Sequence, residues 1–298
     1  MDKVALRNFA VNAKEKMEDD IKRKLELMGI TEKGIGEETV KEDDYLKING
    51  QEFNKKEVRQ REKIIEVLKV SEKDEDFKKC FNEFIEEIAY TWFNRLIALA
   101  FMEANEYIDE KMIFNNGLKN EPGIIDNYYD FEFFKNLDSE LQKELHDLRD
   151  ENTANSIEKL YSILVEEKCE ELSAIMPFMF KKKGTYSDIL FPTGLLMENS
   201  LLVRLREEIE AEAPIELIGW LYQFYNSEKK DQVFEALKKN TKIAKENIPA
   251  ATQLFTPDWI VKYMVENSLG NLWLEGHPNE NLEEKWKFLV KREKQEEE

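Results

Sequence analysis

The chain has 298 residues, of which 42% are hydrophobic and 11% aromatic, enough for one large or two ordinary globular domains. Its 44 basic and 63 acidic residues give a net charge of −19. Because non-specific affinity for DNA comes from cations that neutralise phosphates, this charge disfavours a function in which the chain itself is the main grip on DNA.

Cysteine usage and hydropathy indicate the cellular compartment of the protein and whether it crosses a membrane. Cys80 and Cys169 lie far apart in helical patterns, without the spacing of a disulfide or metal motif, and no signal-peptide pattern precedes them. We therefore expect a reducing cytoplasm. The longest uncharged apolar run, near 96–102, is far shorter than the roughly 20 residues that cross a bilayer, so no membrane partner is expected.

Apolar residues recur three or four positions apart through most of the chain, which is the spacing of amphipathic helices. The predicted helices are 3–28, 55–70, 74–105, 139–149, 153–172, one capped by Phe191–Gly194 that runs through Arg206, 215–224, and one that begins at Ser227. Residues 31–50 lack this period and predict a loop or a short strand pair around Tyr45–Ile48. Strand signals are otherwise scarce, so the predicted fold class is mainly α.

The helix predicted over 74–105 has the most apolar pattern of the set. From Trp92 onward its apolar residues surround the axis, which is typical of a helix buried on nearly all sides. We therefore predict that it forms the core of the domain.

Two clusters outside this pattern have alternative interpretations. The aromatic run Tyr128–Phe134 could stack on nucleic-acid bases, but acidic neighbours favour core packing. The basic run Lys181–Lys183 could contact a DNA backbone, although exposed lysines in an acidic protein are more often solvated charges.

A stretch near the C-terminus, Thr252-Gln-Leu-Phe-Thr-Pro-Asp-Trp-Ile-Val261, has the pattern of a helix start. Thr256 is suited to the N-cap, Pro257 to the first helical position, and Asp258 to the positive end of the helix dipole. An open helix N-terminus of this kind binds carboxylates and phosphates. Beyond it, apolar residues at helical spacing predict one face packed on another element: Ile260, Val261, Met264, Val265, Leu269 and Leu272.

The Gln-x-Phe-Thr-Pro-x-x-Ile-Val pattern of this stretch resembles the segment that precedes the catalytic core of adenine-specific DNA methyltransferases. Two further stretches, Ala89–Leu96 and Glu216–Asp231, resemble the helical N-terminal region of the PglX family, the methyltransferases of BREX phage-defence systems, which are related to type IIG restriction-modification enzymes. The resemblance implies a helical N-terminal domain over 1–247, a Thr-Pro segment over 248–276 that begins an α/β methyltransferase domain, and a helical or charged linker over 277–298.

The same resemblance implies a cofactor and a set of residues that face it. In the family the Thr-Pro segment forms one wall of the S-adenosylmethionine pocket. Carried over, Phe255 packs near the cofactor, the hydroxyl and N–H of Thr256 face its methionine carboxylate, and Pro257 fixes the turn. Gln253 and Trp259 are weaker candidates. The implied partners are DNA, mainly through other domains, and other BREX or defence-complex proteins.

Catalytic chemistry is sparse in the sequence itself. His146 and His277 have no second ligand at metal-binding spacing, and no nucleophile elbow or phosphate-binding Gly-Lys-Ser/Thr loop occurs. The family's Asp-Pro-x-x-Gly-Ser-Gly and Asn-Pro-Pro-Tyr/Phe motifs are also missing from the sequence. We therefore expect a part of a longer enzyme that is inactive alone. The alternative is a non-catalytic acidic module that binds proteins or mimics the charge of DNA.

Overall fold

The computed structural model describes residues 2–36, 40–42, 45–48, 51–72, 76–117, 121–180, 189–209, 213–243, 245–252, 256–277, 282 and 284–290. The chain divides into two compact units, Met1–Tyr225 and Asn226–Glu298.

The first unit is mainly helical, as the sequence predicts. Its helices are α1 (Lys3–Leu27), α2 (Lys55–Glu72), α3 (Phe77–Ala104), α4 (Ile124–Asn127), α5 (Glu132–Lys135), α6 (Ser139–Glu151), α7 (Ala154–Ser173), α8 (Leu201–Glu208) and α9 (Glu216–Tyr225). Most begin and end within a few residues of the predicted bounds.

Two small antiparallel sheets lie between α1 and α2. In the first, β1 (Ile30–Thr31) pairs with β2 (Gly34–Ile35). In the second, β4 (Tyr45–Ile48) lies between β3 (Val40–Glu42) and β5 (Gln51–Asn54), so the strand pair predicted around Tyr45–Ile48 is confirmed and gains a third strand. The chain enters this region through Gly29, whose φ of +70° favours glycine and whose Cα faces the Ile48 side chain too closely for a Cβ.

Helix α3 is the centre of the core, and α1, α2 and α9 pack against it. Every described residue from Leu96 to Phe101 is buried, together with Trp92 and Phe93, which confirms the prediction of a helix enclosed on nearly all sides. Arg95 is buried in this segment, and its guanidinium carbon lies 4.7 Å from the centre of the Trp92 ring. The contact places the cation on the ring face, where the aromatic quadrupole attracts it.

An irregular segment, residues 110–114, is fixed to the core by polar side chains. The Glu103 carboxylate accepts hydrogen bonds from the backbone N–H groups of Ile113 (2.8 Å) and Phe114 (3.1 Å). The Tyr161 hydroxyl donates to the Met112 carbonyl at 2.9 Å, and the Arg206 guanidinium donates to the Ile113 carbonyl. These contacts satisfy backbone groups that no helix or sheet pairs, which is what allows a non-regular segment to be buried.

The helix that was predicted to follow the cap at Phe191–Gly194 and to run through Arg206 begins later than expected. Residues 191–200 form turns, and α8 starts at Leu201, where the Ser200 side chain caps it by accepting from Val203 N–H. Gly194 has a φ of +69°, outside the helical region. Two carboxylates from other helices hold these turns: Asp20 accepts from Thr193, and Glu158 accepts from the N–H groups of Gly194 and Leu195. The backbone donors are therefore used in tertiary contacts rather than in a helix.

Replacing Asp20 with alanine is expected to lower the free energy of unfolding by about 2 kcal/mol, because the Thr193 N–H and hydroxyl lose a charged acceptor. Chemical denaturation measures this loss. Asp19→Ala, an exposed neighbour on α1, is the matched control and should change stability by less than about 0.5 kcal/mol. Equal losses in the two variants would contradict the assigned contact.

The aromatic run Tyr128–Phe134 is core rather than a base-stacking surface at three of its rings. Tyr128, Phe133 and Phe134 are buried, and the Tyr128 hydroxyl lies 3.0 Å from Nδ1 of His146. Tyr129 is about half exposed. The favoured prediction of core packing is confirmed for the buried rings, and His146 has a structural contact.

Both cysteines are buried. In the part of the chain that the structure describes, no helix combines the length and the apolarity that a bilayer crossing requires. Lys181–Lys183 lie outside the described residues.

Candidate functional site

The Thr-Pro stretch lies in the second unit. This unit contains α10 (Ser227–Lys238), a 3₁₀ turn (Lys245–Asn247), α11 (Ile248–Thr252), α12 (Asp258–Val265), a π-helical turn (Glu266–Gly270) and α13 (Asn271–Gly276). Helices α10 and α11 pack on each other, with Val233 and Ala250 buried. The division at Asn226 places α10 beside the Thr-Pro segment, whereas the sequence analysis assigned it to the helical N-terminal domain.

The helix after the Thr-Pro pair begins one residue later than predicted. Pro257, expected at the first helical position, is the cap residue: its φ of −55° fits a helix but its ψ of 140° is extended. Its carbonyl accepts from the N–H groups of Ile260 (2.9 Å) and Val261 (3.3 Å). No side chain caps this end, so the assignment of Thr256 as a hydrogen-bonding N-cap is wrong. The reason is that Pro257 supplies the first carbonyl and moves Thr256 outside the helix.

This end of α12 is open to an anion. Thr256, Pro257 and Trp259 are exposed. The N–H groups of Asp258 and Trp259 come before those of Ile260 and Val261, which bond to the Pro257 carbonyl, so these first two have no acceptor within the helix. The Asp258 carboxylate bonds to Lys262 at 2.6 Å, which draws it along the helix surface. Gln253 and Phe255, the other two predicted site residues, lie outside the described residues.

The apolar face predicted to pack on another element is exposed among the described residues. Ile260 is partly buried, but Trp259 is 56% exposed and Leu269 is 63% exposed. The exposed large apolar side chains of this stretch are Trp259, Val261, Tyr263, Met264, Val265, Leu269, Leu272 and Trp273. Because they lie on several sides of one helix, the stretch has the composition of a buried helix without the burial. We call these eight residues the apolar surface of the Thr-Pro helix.

The predicted linker at 277–298 has turns and no helix in its described residues 284–290. These residues lie against the π-helical turn, held by Glu266 and Asn267. Nothing in the sequence analysis identified these two side chains, since Asn267 lies 21 positions from Phe288, far outside any helical period.

Other chemistry is limited in the described part of the chain. His277 stacks on Trp273 with ring centres 3.9 Å apart and an interplanar angle of 9°. No three His, Cys, Asp or Glu side chains among the described residues are placed to hold a metal ion.

The open end of α12 fits one part of S-adenosylmethionine, the methionine carboxylate, because its donors are backbone N–H groups and the Thr256 hydroxyl. The described residues form no complete cofactor site.

No family model matches the sequence. The sequence is similar to the adenine-specific methyltransferase PglX of Lacticaseibacillus casei (strain Zhang), with 34% identity over 291 residues, which covers 92% of this chain and 23% of that protein. It is also similar to the adenine-specific methyltransferase BrxX of Escherichia coli O9:H4 (strain HS), with 37% identity over 214 residues, covering 70% of this chain and 17% of that protein. The chain thus spans about a fifth of the length of the curated relatives that it matches.

Proposed function

Because this chain is a relative of the PglX and BrxX adenine-specific methyltransferases over most of its own length, we propose that it is the helical part and one cofactor-facing wall of an S-adenosylmethionine-dependent DNA adenine methyltransferase. Similarity that extends over 92% of the chain, from its helical unit into the Thr-Pro unit, supports this assignment. In this proposal the chain is inactive alone. The complete enzyme acts in BREX-type phage defence.

The observation that carries the proposal is the exposed apolar surface of the Thr-Pro helix. Eight large apolar side chains on one short stretch need a covering protein surface, since burial of each contributes roughly 1.5–3 kcal/mol. A catalytic methyltransferase core that packs on this helix provides that cover. It also encloses the open end of α12, turning an exposed helix start into the wall of a pocket.

Within this pocket the residues of the chain have separate roles. The Thr256 hydroxyl and the first N–H groups of α12 hold the methionine carboxylate, and Pro257, whose ψ of 140° is extended, fixes the turn at the helix start. On the motif alone we assign Phe255 and Gln253 to the same cofactor wall, and Trp259 to an apolar contact with the cofactor. When bound, S-adenosylmethionine supplies the methyl group for the adenine amino group.

The charge of the chain fits a supporting rather than a DNA-gripping role. A net charge of −19 repels phosphates, so DNA contacts belong mainly to other parts of the enzyme. The helical unit is free to contact other defence-complex proteins.

Replacing Thr256 with alanine in the protein isolated at its native length is expected to weaken S-adenosylmethionine binding about tenfold, because one donor to a carboxylate is lost. Isothermal titration calorimetry measures the affinity. Thr252→Ala is the matched control: this threonine ends α11, is exposed, and its hydroxyl donates to the Ile248 carbonyl of its own helix at 2.8 Å. Unchanged affinity in Thr256→Ala would remove Thr256 from the cofactor wall.

The acidic charge also favours a second candidate, a non-catalytic module that binds defence proteins or mimics DNA. The two functions differ in cofactor binding. If the protein at native length binds no S-adenosylmethionine but is recovered with defence-system proteins, or competes with DNA for a DNA-binding partner, the second function replaces the first.

A further inference from the structure

A short segment without helix or strand, Trp286–Val290, is bound to the Thr-Pro helix through its backbone. The Asn267 side-chain amide donates to the Phe288 carbonyl at 2.7 Å, and its oxygen accepts from Val290 N–H at 2.8 Å. The Glu266 carboxylate accepts from Phe288 N–H at 2.7 Å. Two adjacent side chains thus bind three backbone groups of the segment, the N–H and carbonyl of Phe288 and the N–H of Val290. We call this set of contacts the backbone clamp.

The clamp is built on the π-helical turn Glu266–Gly270. The wider turn changes the backbone hydrogen bonding, and side chains donate to backbone carbonyls in and before it. Asn267 donates to the carbonyl of Tyr263 at 2.8 Å, Ser268 to that of Met264 at 2.6 Å, and Asn271 to that of Asn267 at 2.9 Å. Asn267 therefore holds its own helix and the clamped segment with one amide group. Its orientation is fixed by both contacts, which makes it a rigid acceptor and donor for the segment.

Gly270 completes the seat of the segment. It is buried, and a Cβ at this position would lie 2.9 Å from Cζ3 of the Trp286 ring. The absence of a side chain lets the indole lie directly on the helix backbone. An apolar anchor and three backbone hydrogen bonds therefore fix the same few residues.

We propose that Glu266 and Asn267 are positioning residues that set where the chain leaves the Thr-Pro helix on its way to the rest of the cofactor pocket. This inference rests on the proposed function. Asp258 and Asn267 are nine residues apart on one helical stretch, so the clamp lies about 14 Å from the helix start. Without the clamp and the Trp286 contact, the 14 residues that follow Gly276, up to Val290, could extend up to roughly 48 Å, and the chain at Val290 would have no fixed relation to Thr256.

The test measures the clamp and the cofactor separately in the protein at its native length. In Asn267→Ala, hydrogen exchange at the Phe288 and Val290 amides is expected to become about tenfold faster. The affinity for S-adenosylmethionine is expected to fall about fivefold through the loss of coupling, although Asn267 contacts no cofactor atom in this assignment.

Two controls separate positioning from general destabilisation. Ser268→Ala removes a side-chain bond to the same π-helical turn, but not to the clamped segment, and should leave both readouts unchanged. Glu266→Gln keeps an oxygen that can accept from Phe288 N–H, so it should retain the affinity that Glu266→Ala loses.

The outcomes are distinct. Faster exchange at Phe288 and Val290 with unchanged cofactor affinity would overturn the positioning role and leave the proposed function intact. Equal loss of affinity in Ser268→Ala would overturn it as well, since that loss would come from the helix and not from the clamp. If the wild-type protein binds no S-adenosylmethionine, the positioning role falls together with the proposed function.

Discussion

Replacing Lys168 with alanine is expected to lower the free energy of unfolding of the first unit by about 3–5 kcal/mol. The Lys168 ammonium lies 2.8 Å from the Glu110 carboxylate, and their side chains are only 6% and 10% exposed. Removal of the lysine leaves the Glu110 charge buried without its cation. Glu171, which contacts Lys168 at 2.6 Å, is largely solvated and loses little. Urea denaturation at neutral pH measures the loss.

Two comparisons identify the cause of that loss. Lys159→Ala removes an exposed pair with Glu144, 2.7 Å apart, and should cost less than about 1 kcal/mol. The double replacement Lys168→Met with Glu110→Leu removes both charges and should recover most of the stability, because neither desolvation penalty remains. If Lys168→Ala lowers the free energy of unfolding no more than Lys159→Ala does, burial does not make the Lys168–Glu110 pair more important to stability than an exposed pair.

Local periodicity was sufficient to predict the longer helices of the first unit and the buried position of α3, but not the short helices α4 and α5. A helix with apolar residues on all sides is expected to be buried on all sides, and residues from Trp92 to Phe101 are apolar on nearly every side. The information is in neighbouring residues, so no knowledge of the tertiary fold is needed. The same holds for Gly29, which ends α1 as predicted.

Contacts between distant residues explain the predictions that failed. The turns at residues 191–200 were predicted as a helix cap followed by the start of the helix, because their sequence gives no sign that Asp20 and Glu158 bind their N–H groups. Asp20 and Thr193 are 173 positions apart. Which carboxylate among 63 acidic residues makes such a contact depends on the packing of whole helices, and no short pattern records it.

The candidate site divides in the same way. The motif located the Thr-Pro helix, but Thr256 as its cap was wrong because the extended ψ of Pro257 places the helix start at Asp258. Periodicity predicted the apolar residues of this helix but not their exposure. The spacing of apolar residues shows which side of a helix is apolar, and it does not show whether another element covers that side. The backbone clamp could not be predicted from any sequence pattern. Asn267 and Glu266 look like ordinary polar residues of a helix, and only the folded chain shows that residues 286–290 contact them.

The Glu103 carboxyl group should make the stability of the first unit depend on pH. Burial raises the pKa of Glu103 from its ordinary value of 4.5 to about 7, although hydrogen bonds from the Ile113 and Phe114 N–H groups act in the opposite direction. Between these two values the folded protein keeps a proton that the unfolded chain has released. Since the folded state then binds more protons, its stability falls as the pH rises. The contribution is fully present below pH 4.5 and lost at pH 7, about 3 kcal/mol in all.

Other carboxyl groups titrate in the same range, so the comparison of Glu103→Gln with wild type isolates this one. The amide does not titrate. The free energy of unfolding of wild type minus that of Glu103→Gln should therefore decrease by about 3 kcal/mol between pH 4.5 and 7.5, measured by urea denaturation at each pH. Glu83→Gln, an exposed carboxyl group on the same helix, is the control and should differ from wild type by less than about 0.5 kcal/mol at every pH. A Glu103→Gln difference that stays constant, or that grows with pH, would mean that the Glu103 carboxyl is ionised in the folded protein well below pH 7, and that the two N–H donors outweigh its burial.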